Sequence, residues 1–354
     1  MTDIFARYPE FRGKPREMAM LCALLRDRGH HADALAIGEA AIAAAPGDFA
    51  LRTKVRTALS SRVAGFHGPM LLDPVRNGAY ARAIEAIVRP GMLVLEIGAG
   101  SGLLALIAAR AGAQVVTCEQ NPLIAAAAQN IVERNGYADR VTIVAKRSDA
   151  MTIPGDLPRP ADLVVHEIFG TQLFDEGVTG ALADARQRLL KPGAPSLPRG
   201  AAVRCALAAN AASTPPETLA DVHGFDLSPF ELLVRPVRSM WSNVRRGLEP
   251  CSAPGSALAM DYDSPPPFGA ASETIMLESD GGRIDGIVQW IAIRFPDGAA
   301  LENDPFADGP DSHWAATYQA FPEPMETQPG DRIAVTLRHR DLILTLDAVR
   351  AANA

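Results

Sequence analysis

Between Met92 and Leu190, short apolar runs alternate with longer segments of helical spacing, and this alternation constrains the fold more than any other feature of the chain. The runs "MLVLEIG", "QVVTCE", "VTIVAK" and "DLVVHEI" are rich in Val, Ile and Leu and too short for apolar helices. Between and after them, Leu103–Ala111, Pro122–Asn135 and Val178–Leu190 carry apolar residues at three- and four-residue intervals. Strands separated by helices cannot pair as hairpins, so a βαβα order predicts a parallel, doubly wound sheet with helices on its faces. In such sheets ligands bind beyond the carboxyl ends of the strands.

The flanks read differently. From Arg16 to Arg62 apolar and charged residues alternate at helical spacing, broken only at Gly29 and at "APGD", Ala45 to Asp48. Leu21, Leu25, Gly29, Ala34, Ala41 and Pro46 give this stretch a register that resembles one tetratricopeptide unit, with Gly38 where a large aromatic is usual. A single unit cannot bury its own face, so it must pack on the rest of the chain, cap an oligomer contact or present a groove to a partner. After Lys191-Pro192-Gly193, Pro and Gly become dense, and "IVQWIAIRF" and "RIAVTLRHRDLILTLDAV" alternate with period two, predicting antiparallel β structure. The expected organisation is a helical module over residues 1–62, a parallel α/β domain over 63–194 and a β-barrel-like domain over 195–354.

The chain has 354 residues and a formal charge of −7, which argues against coating nucleic acid and for a cationic partner. No apolar leader opens it and no apolar run approaches the length of a membrane span, so a cytoplasmic protein is expected. Cys22, Cys118, Cys205 and Cys251 are scattered, without the spacing of a zinc site, and are expected to be reduced thiols; no metal is expected.

In "LEIGAGSGLLAL", Gly98, Gly100 and Gly102 follow a strand and open a helix, where backbone can approach a ligand closely. A dinucleotide fingerprint wants its third glycine at position 103, where Leu103 stands, so the spacing favours S-adenosylmethionine over NAD. Glu119 ends the second strand, 23 residues after Glu96, where a carboxylate can accept both ribose hydroxyls. One strand later Asp149, in "AKRSDAM", suits an adenine amino group. Glu96, Gly98, Gly100, Gly102, Glu119 and Asp149 are the cofactor candidates read from this domain, which is expected to be Rossmann-like.

After the fourth strand, "EIFGTQLFDEG" sets Glu167 and Glu176 nine positions apart, with no Lys or Arg between Arg159 and Arg186 to neutralise them. His166, preceding Glu167, points to the opposite face by strand alternation and is expected to be buried. Asp175 is expected to face solvent. Taken with the glycine loop, this pair resembles the two-glutamate loop of the protein arginine methyltransferases. Two further blocks are similar to that family: "HGPMLLDPVRNGAYARAI", His67 to Ile84, and "DSHWAATYQAF", Asp311 to Phe321, where Ser312 replaces the family's Thr ahead of His313 and Trp314. The likeness covers about residues 65 to 350.

The resemblance implies a methyl transfer from S-adenosylmethionine to arginine in a protein or peptide. It places Met70 near the reactive sulfonium, Arg76 on the methionine carboxylate and Asp73 facing the active site. Glu167 and Glu176 would hold the substrate guanidinium, which is planar, cationic and forked, as two carboxylates require. His313 near Asp73 would accept a proton, and Trp314 would line the substrate. Ile168 and Phe169 replace the Trp-Met of the common dimethylating branch, so the loop looks closer to the monomethylating one. "SSRVAG" lacks the tyrosine pair many members carry. "NAASTPPETLADVHGFD", where the family has its dimerisation arm, is poor in aromatics, and a homodimer is one expected assembly. Two rival functions fit the same residues: a same-fold enzyme for a guanidino metabolite or biosynthetic peptide, and a non-catalytic module in which the N-terminal helices recruit a partner.

Overall fold

The computed structural model describes residues 3–210, 219–233, 238–240, 247–264, 270–308, 312–340 and 342–351. The chain divides into two compact units: residues 1–72, 80–166 and 184–194, and residues 73–79, 167–183 and 195–354.

In the first unit, helices α1 (Pro15–Asp27), α2 (His31–Ala44) and α3 (Phe49–Ser60) bury one shared core that includes Met18, Cys22, Leu25, Ile37, Leu51 and Val55. Gly38 is what brings α2 so close: a Cβ there would lie 3.0 Å from Val55 Cγ1 and 3.2 Å from the Cys22 sulfur. No large aromatic fits at that position. The module is tied to the rest of its unit through Glu39, which pairs with Arg134, and through the Arg62 carbonyl, which accepts Asn121 Nδ2–H at 3.0 Å.

Two helices follow, α4 (His67–Leu71) and α5 (Pro74–Ile87), and then the alternating segment: β1 (Leu93–Ile97), α6 (Leu103–Arg110), β2 (Gln114–Cys118), α7 (Pro122–Arg134), β3 (Val141–Val144), β4 (Leu163–His166) and α8 (Val178–Arg188). The strands are parallel in the order β3-β2-β1-β4, as the alternation predicts. Every residue of β1 is buried, Glu96 among them, as expected of a central parallel strand covered on both faces. Asn121 caps α7 by accepting the Leu123 and Ile124 amides, with Pro122 at the first helical position. The Tyr80 hydroxyl, fully buried, donates to the His166 carbonyl at 3.1 Å.

Apart from the short β5 (Ser196–Leu197), which lies in neither of its two sheets, the second unit is antiparallel. Its strands are β6 (Gly200–Asn210), β7 (Arg238–Met240), β8 (Leu248–Pro250), β9 (Gly255–Asp261), β10 (Ala271–Glu278), β11 (Gly282–Arg294), β12 (Ala300–Glu302), β13 (Ala316–Thr327), β14 (Arg332–Arg340) and β15 (Ile343–Arg350). One sheet runs β7-β13-β11-β6-β8, with β12 joined to β11 and β9 to β6; a second runs β10-β14-β15. Trp290, Val288, Ala206, Ala208, Ala316 and Tyr318 form a core on the first sheet, where the Trp290 ring meets Phe306 edge-on at 6.2 Å. The long strand β11 lies at the middle of that sheet.

Candidate active site

The first unit carries the glycine loop. Gly98, Gly100 and Gly102 have φ of 87°, 52° and 79°, a region where a side chain is strained, so the loop needs glycine at all three. The Gly98 and Ala99 amides donate to the Cys118 carbonyl at 3.0 and 2.9 Å, fixing the loop to the end of β2. The Glu119 carboxylate completes this arrangement: Oε2 accepts the Gly100 amide at 3.1 Å and Oε1 the Asn121 amide at 2.8 Å. Each oxygen keeps acceptor capacity for a further donor. Met70 lies over the loop, its Cε 3.9 Å from where a Gly100 Cβ would stand. Glu96 is buried in β1. Burial, together with the charges of Glu96 and Glu119, pushes the Cys118 thiol up to about 12, leaving it inert.

His67 was not singled out from the sequence, although it opens one of the blocks read there. It is held below the ordinary imidazole range by burial, against the pull of the Glu119 carboxylate. Asp149 is engaged by a neighbour in its own turn. Its carboxylate is exposed and is held below the usual range by Arg147, which donates to it through Nε and Nη2.

The second unit gathers Asp73, Arg76, Glu167 and His313 into one buried chain. Asp73 Oδ1 accepts the Arg76 amide at 2.8 Å, the arrangement of an N-cap residue at the start of α5. Asp73 Oδ2 accepts the His313 amide at 3.2 Å and faces the ring Nδ1 at 3.0 Å. His313 Nε2 lies 3.3 Å from Glu167 Oε1, and Glu167 Oε2 is paired with Arg76 Nη2. The four side chains are only 3–5% exposed. The cation facing Glu167 is thus Arg76, supplied from 91 positions upstream. Trp314 packs on His313 with ring centroids 4.0 Å apart and against Phe169 at 5.8 Å.

The electrostatics follow from this packing. Burial would raise the Asp73 carboxyl, but the Arg76 amide and the His313 ring and amide outweigh it and hold the group below its ordinary value. Burial pushes His313 below the usual imidazole range, opposed by Asp73 and by the charge of Glu176. With Asp73 fixing Nδ1, Nε2 is the ring atom left to take a proton.

The loop that carries the two glutamates is held under tension. Leu173 is fully buried at φ 69°, an unusual conformation for a leucine and one that persists only where neighbours enforce it. The Phe174 ring stacks on His339 at 3.8 Å. Gln289 Nε2 donates to the Thr171 carbonyl at 3.2 Å. Asp175 is an exposed residue, but its carboxylate does not face solvent as expected: it turns back to accept the Gly170 amide at 3.0 Å, and burial of that group raises it above the ordinary range. A Cβ on Gly170 would stand 2.6 Å from Asp175 Oδ2, so a side chain there would displace the Asp175 carboxylate. Glu176 is exposed. Phe174 and Gln289 escaped the sequence reading; the available signal was a Gln within the apolar run of β11.

The family described as ribosomal protein L11 methyltransferase (PrmA) matches residues 81–194. The Arginine N(omega)-methyltransferase of Streptomyces achromogenes subsp. streptozoticus is 32% identical over 299 residues, covering 79% of this chain and 77% of that protein. Protein arginine N-methyltransferase 7 of Oryza sativa subsp. indica is 41% identical over 131 residues, 34% of this chain but 18% of its own length. The protein of the same name from Danio rerio is 28% identical over 310 residues, 78% of this chain and 45% of its own. Among solved structures, the Trypanosoma brucei PRMT1 enzyme–prozyme heterotetrameric complex with AdoHcy superposes with a TM-score of 0.67 at 21% identity, covering 83% of this chain and all of that one. Arabidopsis thaliana protein arginine methyltransferase 10 superposes at 0.64 with 21% identity, covering 79% and 89%. At that identity the structural likeness speaks for the fold alone.

Proposed function

The chain belongs to the protein arginine methyltransferase family, and from that membership we propose that it methylates a guanidinium nitrogen of arginine in a protein or peptide, using S-adenosylmethionine. What supports this reading is the likeness to the Streptomyces arginine N(omega)-methyltransferase over most of both chains, together with the buried constellation of Asp73, Glu167 and His313.

The glycine loop suits the cofactor, because the Gly98, Gly100 and Gly102 backbone leaves room where side chains would intrude and Glu119 offers spare acceptor capacity beside it. Gly98, Gly100, Gly102, Glu119, Glu96 and Met70 would hold S-adenosylmethionine, with Asp149 for its adenine and Arg76 for its carboxylate. Bound, the cofactor supplies an electrophilic methyl group. Glu167 and Glu176 orient the substrate guanidinium and hold its charge away from the reacting nitrogen. His313, oriented through Nδ1 by Asp73, receives the released proton at Nε2, and Trp314 walls the site. Monomethylation is the product we favour, since Phe169 adds bulk beside Trp314.

Exposed Phe225, Leu227, Phe230, Leu232 and Leu233 support a homodimer contact; residues 211–218 of the expected arm lie outside those described. No helix among the described residues is long and apolar enough to cross a membrane, which is compatible with a cytoplasmic enzyme. The three N-terminal helices remain our candidate for a tetratricopeptide-like recruiting surface. The name of the Streptomyces relative specifies arginine rather than protein, which favours a second reading in which the substrate is free arginine or another guanidino metabolite. Labelled S-adenosylmethionine offered with free L-arginine and with arginine peptides, followed by mass spectrometry, decides between them. Label on neither would remove both readings.

A further inference from the structure

We infer that β11 acts as a common ruler for the substrate-holding loops, through two buried carboxamides, Gln289 and Asn303, that are positioning residues for Glu167/Glu176 and for His313/Trp314. The inference rests on the clamp reading above and adds residues that touch neither substrate nor cofactor.

Gln289 sits inside β11, 1% exposed, and its amide is fully engaged. Its Oε1 accepts the Thr317 hydroxyl at 2.8 Å; its Nε2 donates to the Trp290 carbonyl at 3.0 Å and to the Thr171 carbonyl at 3.2 Å. Thr171 lies between the two glutamates. Asn303, 7% exposed just after β12, is engaged in the same way. Its Oδ1 accepts the Ile291 amide at 2.9 Å, and its Nδ2 donates to the Trp314 and Ala315 carbonyls at 3.2 and 3.1 Å. The glutamate loop is thus fastened to residue 289 of β11 and the histidine loop to residue 291.

An apolar side chain at either position would fill space equally well, but it would not hold a backbone carbonyl in one direction. Burying an amide is costly unless every donor and acceptor is met, and here every one is. What the pair adds over apolar packing is geometry: two loops far apart in sequence share one strand as their reference. The loop with Leu173 at φ 69° would relax if its Thr171 anchor were removed. Displacement of about 1 Å in a group that orients a reacting atom can lower rate by about a hundredfold.

The test uses the full chain with S-adenosylmethionine and, in parallel, free L-arginine and a glycine-flanked arginine peptide. Gln289→Leu and Asn303→Leu should lower kcat/KM by about ten- to a hundredfold while S-adenosylmethionine affinity stays within twofold. Thr317→Val, which frees the Gln289 amide to rotate, should show a smaller loss of the same kind, and Thr317→Ser, which restores the hydroxyl, should recover it. Ser252→Ala removes another buried hydrogen bond of this unit, to the Leu207 amide at 3.0 Å, without touching either loop, and should leave kcat/KM within twofold. The inference fails if Thr317→Val and folded Gln289→Leu both keep wild-type kcat/KM, or if Ser252→Ala loses as much as they do. Glu167→Gln assayed alongside separates the levels. Full activity there overturns the clamp and this inference together, whereas an inactive Glu167→Gln beside active Gln289 and Thr317 variants overturns the ruler alone.

Discussion

Replacing Glu167 with Gln keeps the shape of the side chain and one acceptor but removes a charge from a site whose groups are only 3–5% exposed. Two unit charges about 4 Å apart interact by about 4 kcal/mol at an effective dielectric near 20. The amide oxygen of the variant keeps a hydrogen bond worth about 1 kcal/mol. The remaining loss of about 3 kcal/mol corresponds to about a hundredfold in rate. Methyl transfer from labelled S-adenosylmethionine should therefore fall about two decades. Cofactor affinity, measured by calorimetry, should not weaken, because the variant releases Arg76 rather than burdening it. Asp175 is a poor control, since its carboxylate secures the Gly170 amide and its loss would disturb the same loop. Glu323→Gln, an exposed carboxylate on β13, is the better comparison and should retain full activity. A Glu167→Gln enzyme within threefold of wild type, or an equal fall in Glu323→Gln, would refute the argument.

The parts of this structure that were legible in the sequence are those written in local pattern. Strand β1 is apolar at every position but Glu96 because both faces are covered, and the helix that follows begins where three glycines permit φ values other residues avoid. Period-two alternation announced β11 and β14 in the same way. The candidate site was only half legible, because its pieces converge from remote positions. Glu167 and Glu176 could be seen as a pair lacking a local cation, but nothing within the loop shows that Arg76 turns toward Glu167. Asp73 and His313 are 240 positions apart in the sequence and meet at 3.0 Å within one unit. Resemblance placed those residues in one site; it did not say which would touch. Gln289 was least legible of all, since a lone polar residue in a buried strand signals an internal hydrogen bond without naming its partner.

The remaining predictions concern binding and pH. Glu119→Gln should raise the dissociation constant for S-adenosylmethionine about thirtyfold or more in calorimetry, because two carboxylate hydrogen bonds to the glycine loop and α7 weaken as the charge is lost; an unchanged constant would place the cofactor elsewhere. Asp73→Asn keeps an N-cap side chain but removes the charge that raises His313, so the acid limb of kcat/KM should move to lower pH and the plateau should drop; a limb shifted upward contradicts the His313 assignment. His166 provides the stability prediction. Buried completely, it is pushed down to about 3 from an unfolded value of 6.5, with the Arg186 charge adding to the effect. Between those two values the unfolded chain binds a proton that the native chain refuses, so stability rises with pH across the window and is lost on acidification below about 6.5. The slope from this one group is about 1.4 kcal/mol per pH unit. His166→Asn cannot titrate, so whatever it costs at neutral pH, its urea-unfolding free energy should decline less steeply than wild type between pH 7 and 5. All other titrating groups cancel in that difference, and parallel slopes would mean that His166 is protonated in the native fold.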